Sequence, residues 1–206
     1  EIIEMLVQRK EEIKWDTPNG IRGDTWTFER VKKSKESGCQ YLTVAIESAV
    51  QDVIDKVVKK KLDLNEVERL MEYCQDVNLR LNAFYIIGLP GETKGDIMYT
   101  LNYALNRYDK YDVLPVINLA KVLPGTELYE NTVNNHLYTD KLEFKPNEIT
   151  TKEFDPKWIA EQYAWFRREL NKIRIIKSLK SPRELRRSFQ IFFDKLNDKM
   201  ALHRVN

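Results

Sequence analysis

Three β-branched and aromatic runs, residues 41–46, 81–87 and 113–119, alternate with amphipathic stretches of 10 to 17 residues, and a weaker run at 12–16 precedes them. Short strands separated by helix-length segments predict repeated βα units around a parallel sheet, because parallel neighbours need a crossover of a dozen or more residues. The expected fold class is therefore α/β, with four strands side by side.

Local signals place the helices. A helical stretch at 2–10 precedes the first strand, and another at 28–37 closes on Gly38. After the second strand a helix runs through Val50, Val53, Ile54, Val57 and Val58. The next begins where Asp63 and Glu66 stand at capping-box spacing. Thr93 and Asp96 repeat that spacing ahead of Ile97, Leu101, Ala104 and Leu105. Residues 124–156 hold Pro124, Gly125, Pro146 and Pro156 with few periodic apolar positions, and read as a loop with one helical turn at 127–131. Beyond them, 158–178 and 182–202 read as helices, the second opening with Ser181, Pro182 and Glu184. The chain thus divides into a sheet-bearing part, 1–155, and a helical tail, 156–206.

Composition narrows the chemistry. With 42% hydrophobic and 32% charged residues among 206, the chain has the makings of a packed core and lacks the bias of a disordered one. No run of 18 apolar residues occurs and the first residues lack the blocks of a signal peptide, so a cytoplasmic protein is expected. Cys39 and Cys74 are far apart and neither has a second ligand at metal-binding spacing, which predicts buried thiols. His136 and His203 are equally isolated, so neither a nucleophile triad nor a metal site can be written, and no residue is assigned to catalysis or to a metal. The tail carries twelve basic and five acidic residues from 160 onward, interleaved with Trp158, Tyr163, Trp165, Phe166, Phe189, Phe192 and Phe193. Such a mixture can bind RNA, but aromatic residues at helical spacing more commonly pack against the domain they follow.

The unusual residues of the body all fall just after predicted strands. They are Pro18-Asn19-Gly20-Ile21-Arg22, Glu47-Ser48, Gly88-Leu89-Pro90-Gly91-Glu92-Thr93, and Asn118 through Lys121 to Pro124-Gly125-Thr126. In a parallel βα architecture these ends meet on one face, where loops and helix N-termini present polar groups to a ligand. Gly88 and Gly91 around Pro90 admit close approach of main chain to a flat or charged ligand, or serve a tight turn. Glu47 is either a pocket carboxylate or the acidic start of a helix. Arg22 has the shape to clamp a carboxylate or phosphate, and an exposed loop arginine is the plainer alternative; Asn118 and Lys121 have the same standing.

The strings KWDTPNGIR, YLTVAIES, LNAFYIIGLPGET and VINLAKVLPGTELY, in this order and spacing, resemble the C-terminal part of a radical S-adenosylmethionine barrel. Their style is most similar to the cobalamin-associated branch often labelled Fe–S oxidoreductase. The resemblance implies a partial TIM-like (β/α) barrel fragment followed by C-terminal helices. It also implies a cofactor, S-adenosylmethionine, that is cleaved at a 4Fe–4S cluster to a 5′-deoxyadenosyl radical, with cobalamin as a further cofactor of the branch. By the family pattern Glu47 and Ser48 contact the ribose or methionine part of that cofactor, and Gly88, Leu89, Pro90, Gly91 and Glu92 lie against adenine. Asn19, Arg22, Asn118 and Lys121 fall where substrate contacts are usual.

The family's CxxxCxxC loop and its glycine-glycine-acid segment do not occur in this sequence. Ala45, Ala49 and Val50 stand where small Gly or Ser residues are common, and Gly95 replaces a frequent acidic residue. The expectation is a fragment that lacks the first two βα units and cannot perform the radical reaction by itself. Its expected partner is the missing N-terminal part of its own chain; a homodimer through the cut sheet edge or swapped tail helices is the other way to cover that edge. Two other readings stay open: a different TIM-like enzyme whose GLPGET turn binds an anion, and a non-catalytic module with a basic RNA-binding tail.

Overall fold

The computed structural model describes residues 2–9 and 13–180. The predicted helix at 182–202, with Arg183, Arg186, Arg187 and three of the tail phenylalanines, lies outside the described residues. The chain divides into two compact units, Glu1–Ala164 and Trp165–Asn206.

The first unit is a four-stranded parallel half-barrel. The strands are β1 (Trp15–Asp16), β2 (Cys39–Glu47), β3 (Arg80–Ile87) and β4 (Leu114–Leu119), adjacent in chain order. Helices α1 (Ile2–Arg9), α2 (Phe28–Glu36), α3 (Gln51–Val53), α4 (Leu64–Asp76), α5 (Lys94–Tyr111), α6 (Glu127–Asn134) and α7 (Pro156–Lys180) complete the described elements. The predicted α/β fold class, with a partial TIM-like barrel, is what the chain adopts.

Alternation along the strands sorts the side chains onto two faces. Leu42, Val44 and Ile46 of β2 and Leu81, Ala83, Tyr85 and Ile87 of β3 are buried, as are Val67, Leu70 and Met71 of α4 and Ile97, Leu101 and Ala104 of α5. Each fully buried Leu or Ile contributes roughly 1.5–3 kcal/mol relative to exposure. On the other face Asn82, Phe84, Ile86, Leu114 and Val116 are half-buried and Asn118 is exposed. In a closed barrel that face would be filled by layers of side chains. Pro115 is tolerated because β4 pairs with β3 on one side and forms an edge of the sheet.

Three elements depart from expectation. Among the described residues β1 pairs only through Trp15 and Asp16, with a register shift between them, because the Pro18-Asn19-Gly20 turn leaves the ladder; the chain rejoins it at Ile21, which bridges Val44. The helix expected through Val50 and Val58 is regular only over α3 and widens into a π-helical turn, Ile54–Val58, that ends on left-handed Lys59. The expected turn at 127–131 is a full helix, α6, capped by the Thr126 side chain accepting from Tyr129 N–H. The capping box at Thr93 and Asp96 forms as expected. Asp63 caps α4 by accepting from Asn65 N–H, whereas Glu66 pairs with Arg69 instead of reaching back.

In the second unit the described residues belong to the continuation of α7. Phe166 and Leu170 are buried, and Ile175, Ile176 and Leu179 are exposed. Among the described residues no helix is long and apolar enough to cross a membrane.

Gly23, in a short 3-10 turn after β1, is where the loop presses hardest on the core. A Cβ there would lie 2.8 Å from Val44 Cγ2 and 3.1 Å from Val67 Cγ2, both on stiff branched side chains. Gly23→Ala is expected to destabilise the fold by about 1–3 kcal/mol, seen as a lower denaturation midpoint at unchanged slope.

Candidate functional site

Because all four strands run the same way, the segments that follow them emerge at one edge of the sheet. Named contacts stitch these segments together. Thr17 Oγ1 accepts from Thr43 N–H at 2.8 Å, and Ile21 N–H donates to Thr43 O at 2.7 Å. A Cβ on Gly20 would meet Ala45 Cβ at 3.1 Å, so the Pro18-Asn19-Gly20 turn lies directly against β2. Gly91 approaches the π-helical turn just as closely, its missing Cβ lying 3.0 Å from Val57 Cγ2. Lys59 pairs with Glu127 and so links that turn to α6.

Glu47 sits where β2 ends in a bulge. Ala45 pairs with Phe84 and Glu47 with Tyr85, so Ile46 is an extra residue, and Glu47 itself takes φ +71°. A left-handed non-glycine residue costs about 1–3 kcal/mol and persists only where its surroundings impose it. Across this bulge lies Lys60, whose Nζ donates to Glu47 Oε1 at 2.9 Å and to Ala45 O at 2.6 Å.

Ser48 turns away from this edge. It is fully buried; its hydroxyl bonds Thr100 Oγ1 at 3.2 Å and accepts from Val50 N–H at 3.2 Å. Ser48 thus joins the end of β2 to α5.

The Gly88-Leu89-Pro90-Gly91-Glu92 turn is closed by its own acid. Glu92 is buried, and its Oε2 accepts from Gly88 N–H at 2.8 Å and Leu89 N–H at 2.7 Å. Gly88 and Gly91 have φ of +88° and +103°, which is why glycine is needed at both. Leu89 and Pro90 are half-buried and Gly91 is exposed. Burial pushes the Glu92 carboxyl up to about 7, against the opposing pull of the two amides. Its Oε1 is buried and has no hydrogen-bond partner among the described residues.

The substrate-facing candidates separate. Asn118 is exposed beside Ile86 in the β3–β4 register, and Lys121 is exposed with its backbone bridging Pro146. Asn19 is exposed in the turn against β2. The Arg22 guanidinium makes a bidentate pair with Asp24, both contacts 2.8 Å, and donates to the carbonyls of Lys60 and Lys61. Its donors are directed to the chain's own loop. Lys60 was not signalled by the sequence: it lies in a run of three lysines that reads as solvated charge, and its partner Glu47 stands at no local spacing rule.

A separate groove of about 730 Å³ lies between α4 and α5, lined in part by Val50, Leu64, Glu68, Asp96, Tyr103 and Arg107. Three of its polar groups pair with one another, Tyr103 OH and Arg107 both donating to Glu68 Oε1.

The sequence profile of the Radical SAM superfamily matches residues 1–104. The chain belongs to the Radical SAM superfamily. It is 32% identical over 98 residues to cytidylyl-2-hydroxyethylphosphonate methyltransferase of Streptomyces wedmorensis, an alignment covering 45% of this chain and 18% of that enzyme. Its fold is similar to the radical S-adenosylmethionine methyltransferase TsrM of Kitasatospora setae, solved with cobalamin and a 4Fe–4S cluster. That match has TM-score 0.51 and 13% identity, over 75% of this chain and 33% of TsrM. The radical SAM coproporphyrinogen III oxidase HemN of Escherichia coli matches at TM-score 0.53 and 16% identity, over 82% of this chain and 36% of HemN. The chain therefore spans between about a fifth and two fifths of the length of these relatives.

Radical SAM membership raises the question of which cofactors these residues can hold. A cluster needs three thiolates, and the sequence has two cysteines. Both are buried, with thiols pushed up by burial to about 11 at Cys39 and about 12 at Cys74, so neither is a ready thiolate. Among the described residues no group of three or more His, Cys, Asp or Glu side chains is placed to hold a metal. The residues present do not fit the cluster. Toward S-adenosylmethionine the chain offers two features: the half-buried Glu47 carboxyl at the end of β2, and the glycine turn that follows the neighbouring strand β3.

The Glu92 carboxyl yields a pH test. Its folded value of about 7 lies above the ordinary 4.5, so between these values the folded chain binds more protons than the unfolded one. This group's contribution to stability is therefore greatest below about pH 4.5, falls as pH rises, and levels off above about pH 7. Glu92→Gln is expected to flatten that slope, measured as thermal midpoints of both proteins across the same range.

Proposed function

We propose that this chain is the C-terminal, S-adenosylmethionine-binding part of a radical SAM enzyme of the cobalamin-associated branch, and that the whole enzyme carries out methyl transfer. The observation that carries the reading is that Glu47, the last residue of β2, and the Gly88–Gly91 turn, directly after the neighbouring strand β3, stand at the same end of the sheet. The methyltransferase named among the sequence relatives, and the cobalamin-bound methyltransferase that shares the fold, support the branch.

In this assignment Glu47 accepts hydrogen bonds from the ribose hydroxyls or the ammonium of the cofactor. The Gly88–Gly91 main chain lies along adenine, and Ser48 supports the site from behind through Thr100. Asn19, Asn118 and Lys121 border the substrate. When bound in such enzymes, S-adenosylmethionine supplies the 5′-deoxyadenosyl radical; the residues of this chain bind and orient it. The cluster belongs to a segment bearing CxxxCxxC that pairs with the outer edge of β1, and a homodimer through that edge is the competing arrangement. The reading in which GLPGET receives an anion is disfavoured, because the Gly88 and Leu89 amides already donate to Glu92.

Two measurements test the proposal. Titration calorimetry is expected to show weak binding of S-adenosylmethionine that Glu47→Ala abolishes; wild-type protein without such binding overturns the reading. Anaerobic reconstitution with iron and sulfide is expected to give no stoichiometric cluster absorbance, and a full cluster on this chain would contradict the assignment of the ligands to another segment.

A further inference from the structure

The reading above gives Glu47 a ligand to meet but not a reason to stay in place. That reason lies in the loop joining α3 to α4. Lys60 Nζ reaches both sides of the bulge in β2, at 2.6 Å to the Ala45 carbonyl and 2.9 Å to Glu47 Oε1. An ammonium has three donors, so two are spent bridging the irregular backbone to the carboxylate that follows it. The side chains of Lys60 and Glu47 are 22% and 17% exposed, which places the pair beyond the weak regime of fully solvated ion pairs.

Lys60 is itself held from behind. Lys59 and Lys61 on either side take φ of +58° and +50°, and the loop is entered through the π-helical turn. Turns of that kind and strained non-glycine residues gather at functional sites. Arg22, fixed by Asp24, donates to the carbonyls of Lys60 and Lys61. A chain of contacts therefore runs from Asp24 through Arg22 and the lysine loop to Glu47.

We propose that Lys60 is a positioning residue: it closes the β2 bulge and fixes the Glu47 carboxylate through Oε1, so that Oε2 is presented to the hydroxyl or ammonium donors of S-adenosylmethionine. The proposal rests on the reading of Glu47 as a contact of that ligand.

The test is a double-mutant cycle on the full chain with Glu47→Gln, Lys60→Met and the pair, read by S-adenosylmethionine affinity and by amide hydrogen exchange of residues 41–50 without ligand. Lys60→Met is expected to speed exchange at 45–48 about tenfold, leaving β3 and β4 unchanged. Each single variant is expected to weaken binding by about tenfold, with the double variant no weaker than Glu47→Gln, because Lys60 acts through Glu47. Lys60→Arg keeps the charge and is expected to restore most of both; if Lys60→Met does not fold, Lys60→Gln is read in the same way. Unchanged exchange overturns the proposal whatever the ligand does. Changed exchange with unchanged affinity, or losses that add, also overturns it by showing a role independent of Glu47. Wild-type protein without affinity, or Glu47→Gln without effect, overturns the Glu47 reading and this proposal with it, while a change in exchange would still establish Lys60 as the bulge's support.

Discussion

Parallel pairing of β2 with β3, in unbroken register from Tyr41 opposite Arg80 to Ala45 opposite Phe84, is the constraint on which the rest of the molecule depends. It fixes which residues of each strand face α4 and α5, since a slip of one position would turn Val44 and Ala83 outward. It also forces the chain to return to the same end of the sheet after each strand, so the polar turns accumulate along one edge. The register breaks only where the strands stop being scaffold, at the extra Ile46 before Glu47.

That edge is where the fold gives up stability. Glu47, Lys59 and Lys61 hold left-handed backbones without being glycine, and Glu92 carries a carboxyl into a buried turn. Each is unfavourable by itself. They persist because their surroundings tie them down: Lys60 across the bulge, Arg22 across the lysine loop, and two amides on Glu92. The core beneath is dense enough to bear this, with Leu42 and Val44 fully enclosed before the bulge and Ile46 fully enclosed within it.

Most of the scaffold was legible in the sequence because it rests on long periodic segments. β2, β3, β4 and α2 fall within about two residues of their expected bounds, α4 and α5 start at their expected caps, and the Thr93 capping box forms as expected. What was not legible depended on contacts distant in sequence. Val53, Ile54, Val57 and Val58 suit a regular helix and a widened π-helical turn equally; in the form adopted Val57 lies close against Gly91, 34 residues on. Ser48 looked like a pocket hydroxyl, yet Thr100, 52 residues on, draws it inward. Glu92 reads as a ligand-facing acid until its two amide partners are placed.

Fold likeness at 13–16% identity establishes the half-barrel and stops there, since this architecture serves many reactions. Any more specific claim must come from side chains at the strand-end edge. Of these, Glu47 and Lys60 carry the most information. A half-buried ion pair is a weak device for holding a fold together, because desolvating two charges offsets much of their attraction. Two apolar residues would cover the end of β2 at less cost and leave no bulge to support. The pair, together with two left-handed lysines and an arginine that ties down their loop, holds the Glu47 side chain in one direction at the end of β2, which is the arrangement the proposed ligand contact needs.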